Sequence, residues 1–214
     1  MKIKNAVICA AGFGSRLGLD MPKCLVPIGK HKLIYYLLGL LKDIENVRIV
    51  VGYKEEEVIE YVKSIRNDVI FVRNPQYAST SNSYSLYLGS KDIQDGFLTI
   101  DGDMIISPDN FTNFIEACNV GENRLGLTPS KTDDAVFVAV NDNDEAVEFS
   151  REKISNLEWS GIAYFANIKM SQVQNYVYEQ LLDKLPIKTT TIDCFEIDTP
   201  NDLNLALNEI DFID

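Results

Sequence analysis

The chain has 214 residues, a length that suits one α/β domain with a substantial core. Hydrophobic residues make up 46% and charged residues 24%, which is typical of a globular protein. The formal net charge of −12 argues against nucleic acid or an anionic membrane surface as the main partner. A small phosphorylated ligand remains compatible with this charge because it responds only to its local surroundings.

The spacing of the cysteines indicates the redox state of the cellular compartment. Cys9, Cys24, Cys118 and Cys194 stand singly, so no CxxC pair predicts a zinc site or a disulfide framework. Single cysteines are typical of a reducing compartment, and no apolar run reaches membrane-spanning length. We therefore expect a cytoplasmic protein, and the sequence leaves its oligomeric state open.

Strand and helix patterns alternate along the first half of the chain. Strands are predicted at 3–9, 47–51, 69–72 and 97–100, and helices at 31–44, 54–65, 82–90 and 107–118. The alternation favours an α/β, Rossmann-like fold, in which a mainly parallel sheet has helices on both faces. Ligands of such sheets bind beyond the carboxyl ends of the strands. The glycine-rich segment and Asp101-Gly102-Asp103 should both lie there.

The second half has a different pattern. We predict a β-hairpin around 141–144, a strand at 159–165, a helix at 170–185, a strand region at 187–197 and a final helix capped by Thr199-Pro200. No repeat or linker interrupts it. The hairpin is therefore expected as an insertion into the same sheet, and residues 1–214 as a single domain.

The segment AAGFGSRLGLDMPKCL, residues 10–25, follows the first predicted strand. Gly12 and Gly14 allow close approach of a ligand, and exposed amides in such a loop bind phosphate oxygens. Leu17 breaks the GxGxxG dinucleotide pattern, and no Walker sequence is present. Arg16 and Lys23 suit two phosphate groups that must meet. The alternative is that both are surface charges beside a turn.

Four motifs in the same order resemble those of nucleotidyltransferases that load a phosphorylated small molecule onto a nucleotide. They are AAGFGSRL…MPKCLVPIGK, IDGDMII, EWSGIAYF and FEIDTPNDLNLA. The resemblance implies the nucleotide-diphospho-sugar transferase type of fold. It also implies attack by an acceptor phosphate or phosphonate on the α-phosphorus of a nucleoside triphosphate, with release of pyrophosphate.

A narrower likeness lies in NPQYASTSNSYSLYLG, which resembles a segment of phosphocholine and aminoethylphosphonate cytidylyltransferases. Asn74, Tyr77, Asn82 and Tyr84 match its pattern, whereas Ser81 stands where the pattern has asparagine. This likeness implies CTP as donor and a small zwitterionic acceptor such as phosphocholine or 2-aminoethylphosphonate.

The resemblance implies roles for particular residues. Arg16 would contact the triphosphate, and Lys23 would lie near the α-phosphate and the incoming phosphate. The residues expected to line the nucleotide are Ala10, Ala11, Gly12, Gly14, Gln76 and Asn82. Gln76 and Asn82 could read the base edge with their amides, although Gln76 could equally be a surface residue.

Magnesium is the expected cofactor, with Asp103, Asp198 and Glu196 as its ligands. The alternative is that these acidic residues cap turns and helices. The residues available to an acceptor carrying a cationic group are Tyr77, Tyr84, Glu158, Trp159 and Tyr164. Trp159 could instead be a core residue.

Three other functions remain open at this point. A sugar-1-phosphate nucleotidyltransferase would use the same loop with another acceptor. A metal-dependent glycosyltransferase would use Asp101-Gly102-Asp103 as a DxD motif, but it would not need Arg16 and Lys23 after the first strand. A non-catalytic nucleotide-sensing module could lose the acidic segments, and both are present here.

Overall fold

The computed structural model describes residues 2–131 and 135–209. The helices are α1 (Leu33–Leu40), α2 (Glu55–Lys63), α3 (Asn82–Ser90), α4 (Pro108–Cys118) and α5 (Pro200–Glu209). The strands are β1 (Asn5–Ala10), β2 (Pro27–Ile28), β3 (His31–Lys32), β4 (Asn46–Val51), β5 (Val69–Arg73), β6 (Phe97–Asp101), β7 (Met104–Ile106), β8 (Arg124–Pro129), β9 (Phe137–Val140), β10 (Glu145–Ser150), β11 (Leu157–Phe165), β12 (Ile187–Thr191) and β13 (Cys194–Glu196). Short 3-10 helices lie at Ser15–Leu17, Lys23–Leu25 and Val177–Lys184.

One large sheet organises this part of the chain, with the strand order β5-β4-β1-β6-β11-β8-β12-β10-β9. β5, β4, β1 and β6 are parallel, and β11 is antiparallel to both β6 and β8. The β9–β10 hairpin joins the same sheet through β12. The predicted α/β fold class, a mixed sheet with an inserted hairpin, is confirmed, although antiparallel neighbours are as numerous as parallel ones along the strand order.

Helices cover both faces of the parallel region. Ala6 and Ile8 of β1 belong to a core that also contains residues of α1, α2 and α4, whereas Val7 packs in a second core with Leu86 of α3. Successive side chains of a strand point to opposite faces, so β1 is buried from both sides. No helix in residues 2–131 or 135–209 combines the length and apolar character that a bilayer span requires.

A second, two-stranded sheet is formed by β7 and β13, which pair Glu196 with Met104. The backbone amide of Ile197 donates to the carbonyl oxygen of Asp103 at 2.9 Å. This pairing brings the segment that contains Glu196 and Asp198 beside the Asp101-Gly102-Asp103 turn. It replaces the single predicted strand region at 187–197 with β12 in the large sheet and β13 in the small one.

Two predicted helices differ in the structure. The helix expected at 170–185 is only the 3-10 helix Val177–Lys184. The side chain of Gln180 accepts the backbone N–H of Ser171 at 2.8 Å, which gives this amide a partner outside a helix. Leu185 is extended because it precedes proline. The helix expected at 31–44 begins at Leu33, since His31 and Lys32 pair with β2.

Candidate active site

The glycine loop follows β1 at the carboxyl end of the sheet. Gly14 has φ +64°, and a Cβ there would lie 2.7 Å from Cγ of Lys23. This position requires glycine because its backbone is in the left-handed region and because the side chain of Lys23 packs directly against it. At the loop's tip, the ring of Phe13 packs 4.4 Å from that of Tyr53, which connects the loop to the segment after β4.

The two cations of the loop meet the acidic segments. Lys23 Nζ donates to Oδ2 of Asp103 at 2.8 Å and also to Oδ1 of Asp198. Arg16 donates to Oδ2 of Asp198 at 2.6 Å, although its side chain is 58% exposed, so this ion pair contributes little stability. Burial alone would lower the pKa of Lys23, but the two carboxylates outweigh it and raise that pKa.

A cluster of three carboxylates lies at this point. Oxygens of Asp103, Glu196 and Asp198 all lie within 4.8 Å of one another. The pKa of Glu196 is raised by partial withdrawal from water and by repulsion from Asp103 and Asp198. All the possible metal ligands in this cluster are carboxylate oxygens, and they already attract the ammonium of Lys23. The cluster therefore fits a hard divalent cation such as Mg²⁺.

Asp101 lies beneath this cluster, opposite Cys9 in the β1–β6 register. Burial, followed by repulsion from Asp103, raises the pKa of the Asp101 carboxyl well above its ordinary value. β11 passes it at a bulge where Gly161 has φ +81°, and a Cβ there would lie 2.7 Å from Oδ2 of Asp101. The bulge thus lets a strand cross over a half-buried carboxyl group without a steric clash.

The cavity between the glycine loop and the start of α3, here named the central cavity, has a volume of about 180 Å³. The described residues that line it are Cys9, Ala10, Ala11, Gly12, Gly14, Lys23, Cys24, Tyr77, Thr80, Ser81, Asn82, Ser85, Asp101, Gly102, Asp103 and Glu196. Five of the six residues expected to line a nucleotide are therefore together. Tyr77, expected to contact an acceptor, also lies in this cavity.

Gln76 is the exception among the expected nucleotide residues. Its side chain is exposed, and its carbonyl oxygen accepts the hydroxyl of Thr80 at 2.9 Å, so it shapes the turn before α3. Sequence reasoning missed Ser81 as a lining residue. Ser81 occupies the N-cap position of α3, but its buried hydroxyl makes no capping hydrogen bond and has no hydrogen-bond partner among the described residues. The departure from asparagine at this position was the available signal.

A second cavity of about 240 Å³, here named the side pocket, lies on the other side of the carboxylate cluster. The described residues that line it are Arg16, Thr128, Lys131, Glu158, Trp159, Ser160, Cys194, Phe195, Glu196, Asp198, Thr199, Asn201, Asp202 and Leu205. Glu196 borders both cavities. The carboxylates thus stand where two small ligands could meet.

Of the residues predicted for an acceptor, Glu158 and Trp159 line the side pocket, whereas two others line neither cavity. Tyr164 is only 2% exposed, and it pairs with Leu98 near the amino end of β6, away from the cluster. Tyr84 lies beside the ring of Tyr87 on α3 and is not among the residues lining either cavity. The sequence pattern predicted a helix for Tyr84 and a strand for Tyr164 without indicating which part of either element reaches the site.

Comparison with known proteins identifies a family for the chain. Residues 6–161 match the family of MobA-like NTP transferase domains. Choline-phosphate cytidylyltransferase of Streptococcus pneumoniae is 36% identical over 114 residues, which are 51% of this chain and 48% of that protein. CTP:phosphoglutamine cytidylyltransferase of Campylobacter jejuni is 33% identical over 108 residues, which are 49% of this chain and 42% of that protein. These matches span about half the length of either relative.

A solved structure of CTP:phosphocholine cytidylyltransferase from S. pneumoniae superimposes with a TM-score of 0.77 at 21% identity. The superposition covers 97% of this chain and 99% of that one, so the shared fold extends beyond the matched sequence. The match over residues 6–161 includes the glycine loop, the Asp101-Gly102-Asp103 turn and most of β11. The chain belongs to the MobA-like NTP transferase domain family.

Proposed function

We propose that the protein is a nucleotidyltransferase that joins CTP to a small phosphate or phosphonate acceptor and releases pyrophosphate. The observation that carries this proposal is the position of the carboxylate cluster between two cavities, with Lys23 and Arg16 bound to it. The central cavity would hold the nucleotide and the side pocket the acceptor. The relatives named for cytidylyl transfer support CTP as the donor.

In this reaction an acceptor oxygen forms a bond to the α-phosphorus of CTP, and the bond from that phosphorus to the bridging oxygen breaks. The electron pair leaves with pyrophosphate. The acceptor phosphate is already ionised near neutral pH, so catalysis requires positioning and charge neutralisation rather than a general base. The raised pKa of Lys23 keeps its positive charge where the two phosphate groups would meet.

The remaining residues would act by position. Arg16 borders the side pocket and would stabilise charge on the leaving pyrophosphate or on the acceptor phosphate. Asp103, Glu196 and Asp198 would hold Mg²⁺, which when bound supplies a Lewis acid for phosphate oxygens. The buried hydroxyl of Ser81 and the amide of Asn82 line the central cavity and would contact the nucleotide.

Pyrophosphate release provides the direct test. The protein is incubated with Mg²⁺, one of the four ribonucleoside triphosphates, and a panel of small phosphorylated acceptors that includes glucose 1-phosphate. Release with CTP and a small amine-containing acceptor supports the proposal. Release only with UTP and glucose 1-phosphate would replace it with sugar-1-phosphate transfer. Nucleoside diphosphate release from a sugar nucleotide would replace it with glycosyl transfer.

A further inference from the structure

Two oppositely charged side chains stand at the end of the side pocket formed by β8, β11 and β13. The backbone N–H of Lys131 donates to Oε2 of Glu158 at 3.3 Å. The ammonium of the same lysine lies over the ring of Phe195, 3.6 Å from its centroid. One residue thus fixes the position of a carboxylate with its backbone and presents a positive charge with its side chain.

Contacts to β13 and the residue before it hold the ammonium of Lys131 in place. Nζ donates to the carbonyl oxygen of Cys194 and lies 3.6 Å from Oδ1 of Asp193. Asp193 has a 64% exposed side chain, so water screens its attraction for the lysine. An ammonium has three N–H donors, which leaves capacity for a ligand oxygen.

The aromatic residues of the pocket are poorly arranged for a trimethylammonium group. Such a group cannot donate hydrogen bonds and is bound by several aromatic faces around it. Lys131 already occupies a face of Phe195, and Trp159 packs 6.3 Å from Phe149 with its indole N–H donated to the carbonyl of Ile162. A ligand bringing only positive charge would therefore meet a fixed like charge.

We propose that Lys131 and Glu158 recognise the far end of the acceptor as a donor–acceptor pair. They would select a group in which an amine or amide N–H lies beside an oxygen acceptor, as in an amino acid, over a trimethylammonium group. The N–H donors would bind Glu158 and the oxygen would bind Lys131, while the phosphate of the acceptor points to Arg16 at the edge of the carboxylate cluster. This inference rests on the proposed function of the same site.

Three small acceptors separate the contributions of Glu158 and Lys131 to recognition. O-Phosphoserine offers an ammonium and a carboxylate, phosphoethanolamine offers the ammonium alone, and phosphocholine offers no donor. Trp159 is the only tryptophan in the chain and lines the side pocket, so its fluorescence reports acceptor binding independently of turnover. Pyrophosphate release with CTP and Mg²⁺ gives kcat/KM for each acceptor.

We expect kcat/KM to fall in the order O-phosphoserine, phosphoethanolamine, phosphocholine, with about tenfold or more between the first and last. Lys131→Ala should remove the advantage of O-phosphoserine over phosphoethanolamine. Glu158→Gln should weaken both amines more than phosphocholine. Lys63→Ala and Glu60→Gln, on the exposed face of α2, are matched controls and should change none of these ratios. Thermal midpoints establish that each variant is folded.

Phosphocholine as the best acceptor, or a preference for O-phosphoserine that survives Lys131→Ala, would overturn the inference and leave the proposed function intact. The inference also fails if O-phosphoserine does not alter Trp159 fluorescence in the CTP-bound protein. Absence of both CTP binding and pyrophosphate release with every acceptor would instead overturn the proposed function.

Discussion

The ammonium nitrogen of Lys23 lies 2.8 Å from Oδ2 of Asp103, although 80 positions separate the two residues in the chain. The same ammonium also donates to Asp198, which lies near the other end of the chain. A loop after β1, a turn after β6 and a segment after β13 therefore meet in one ion cluster. Lys23 and Arg16 offset the repulsion among the three carboxylates of this cluster.

Lys23→Ala is expected to lower kcat by on the order of 100-fold, with a smaller effect on the dissociation constant for CTP. The reason is that its charge lies where negative charge would accumulate during transfer of the cytidylyl group. Lys23→Arg should restore little activity because a planar guanidinium does not fit against Gly14 as the lysine stem does. Steady-state kinetics together with CTP titration provide the measurement. A change confined to the KM of the acceptor would contradict this role.

The sequence predicted this cluster because each member follows a recognisable motif at the end of a predicted strand. Asp103, Glu196 and Asp198 were identified from their order and from a family resemblance. The side pocket was predicted less well because it depends on contacts between distant segments. Lys131 gains its role from Cys194 and Phe195, more than 60 positions away, and no local pattern marks it.

A divalent cation should stabilise the fold through the carboxylate cluster. Adding Mg²⁺ to protein treated with EDTA is expected to raise the thermal midpoint, since binding to the native state alone shifts the unfolding equilibrium. Asp103→Asn should remove most of this increase and most of the turnover while leaving the circular dichroism spectrum unchanged. Glu60→Gln, an exposed residue of α2, serves as the control for charge. Near-normal activity of Asp103→Asn would exclude Asp103 as a ligand.

Gly14→Ala tests the packing of the loop against Lys23. The added Cβ would lie 2.7 Å from Lys23 Cγ, in a backbone conformation with φ +64°. We expect a loss of about 1–3 kcal/mol in the free energy of unfolding and a fall in kcat as Lys23 is displaced. Gly39→Ala, within α1 and with open space around it, should be neutral or stabilising by about 1 kcal/mol. Equal effects of the two substitutions would show that the loop adapts to a side chain at position 14.

Asp101 gives the metal-free protein a specific dependence on pH. Burial and Asp103 raise the pKa of its carboxyl in the folded state, so the native protein retains a proton that the unfolded chain loses above about pH 4. The unfolded state then binds fewer protons than the native state, and the stability contributed by this group falls as the pH rises toward the raised pKa. The raised pKa of Lys23 affects the stability of the fold only at more alkaline pH.

Asp101→Asn removes this titration while keeping the size of the side chain. In EDTA, we therefore expect the variant to be more stable than the native sequence at pH 8, with a much smaller difference at pH 4.5. Some dependence on pH should persist because Glu196 also has a raised pKa. Asp92→Asn, on the exposed turn after α3, controls for the loss of one negative charge. Thermal midpoints at both values of pH provide the measurement. A stabilisation that is equal at pH 4.5 and pH 8 would show that the pKa of Asp101 is not raised in the folded state.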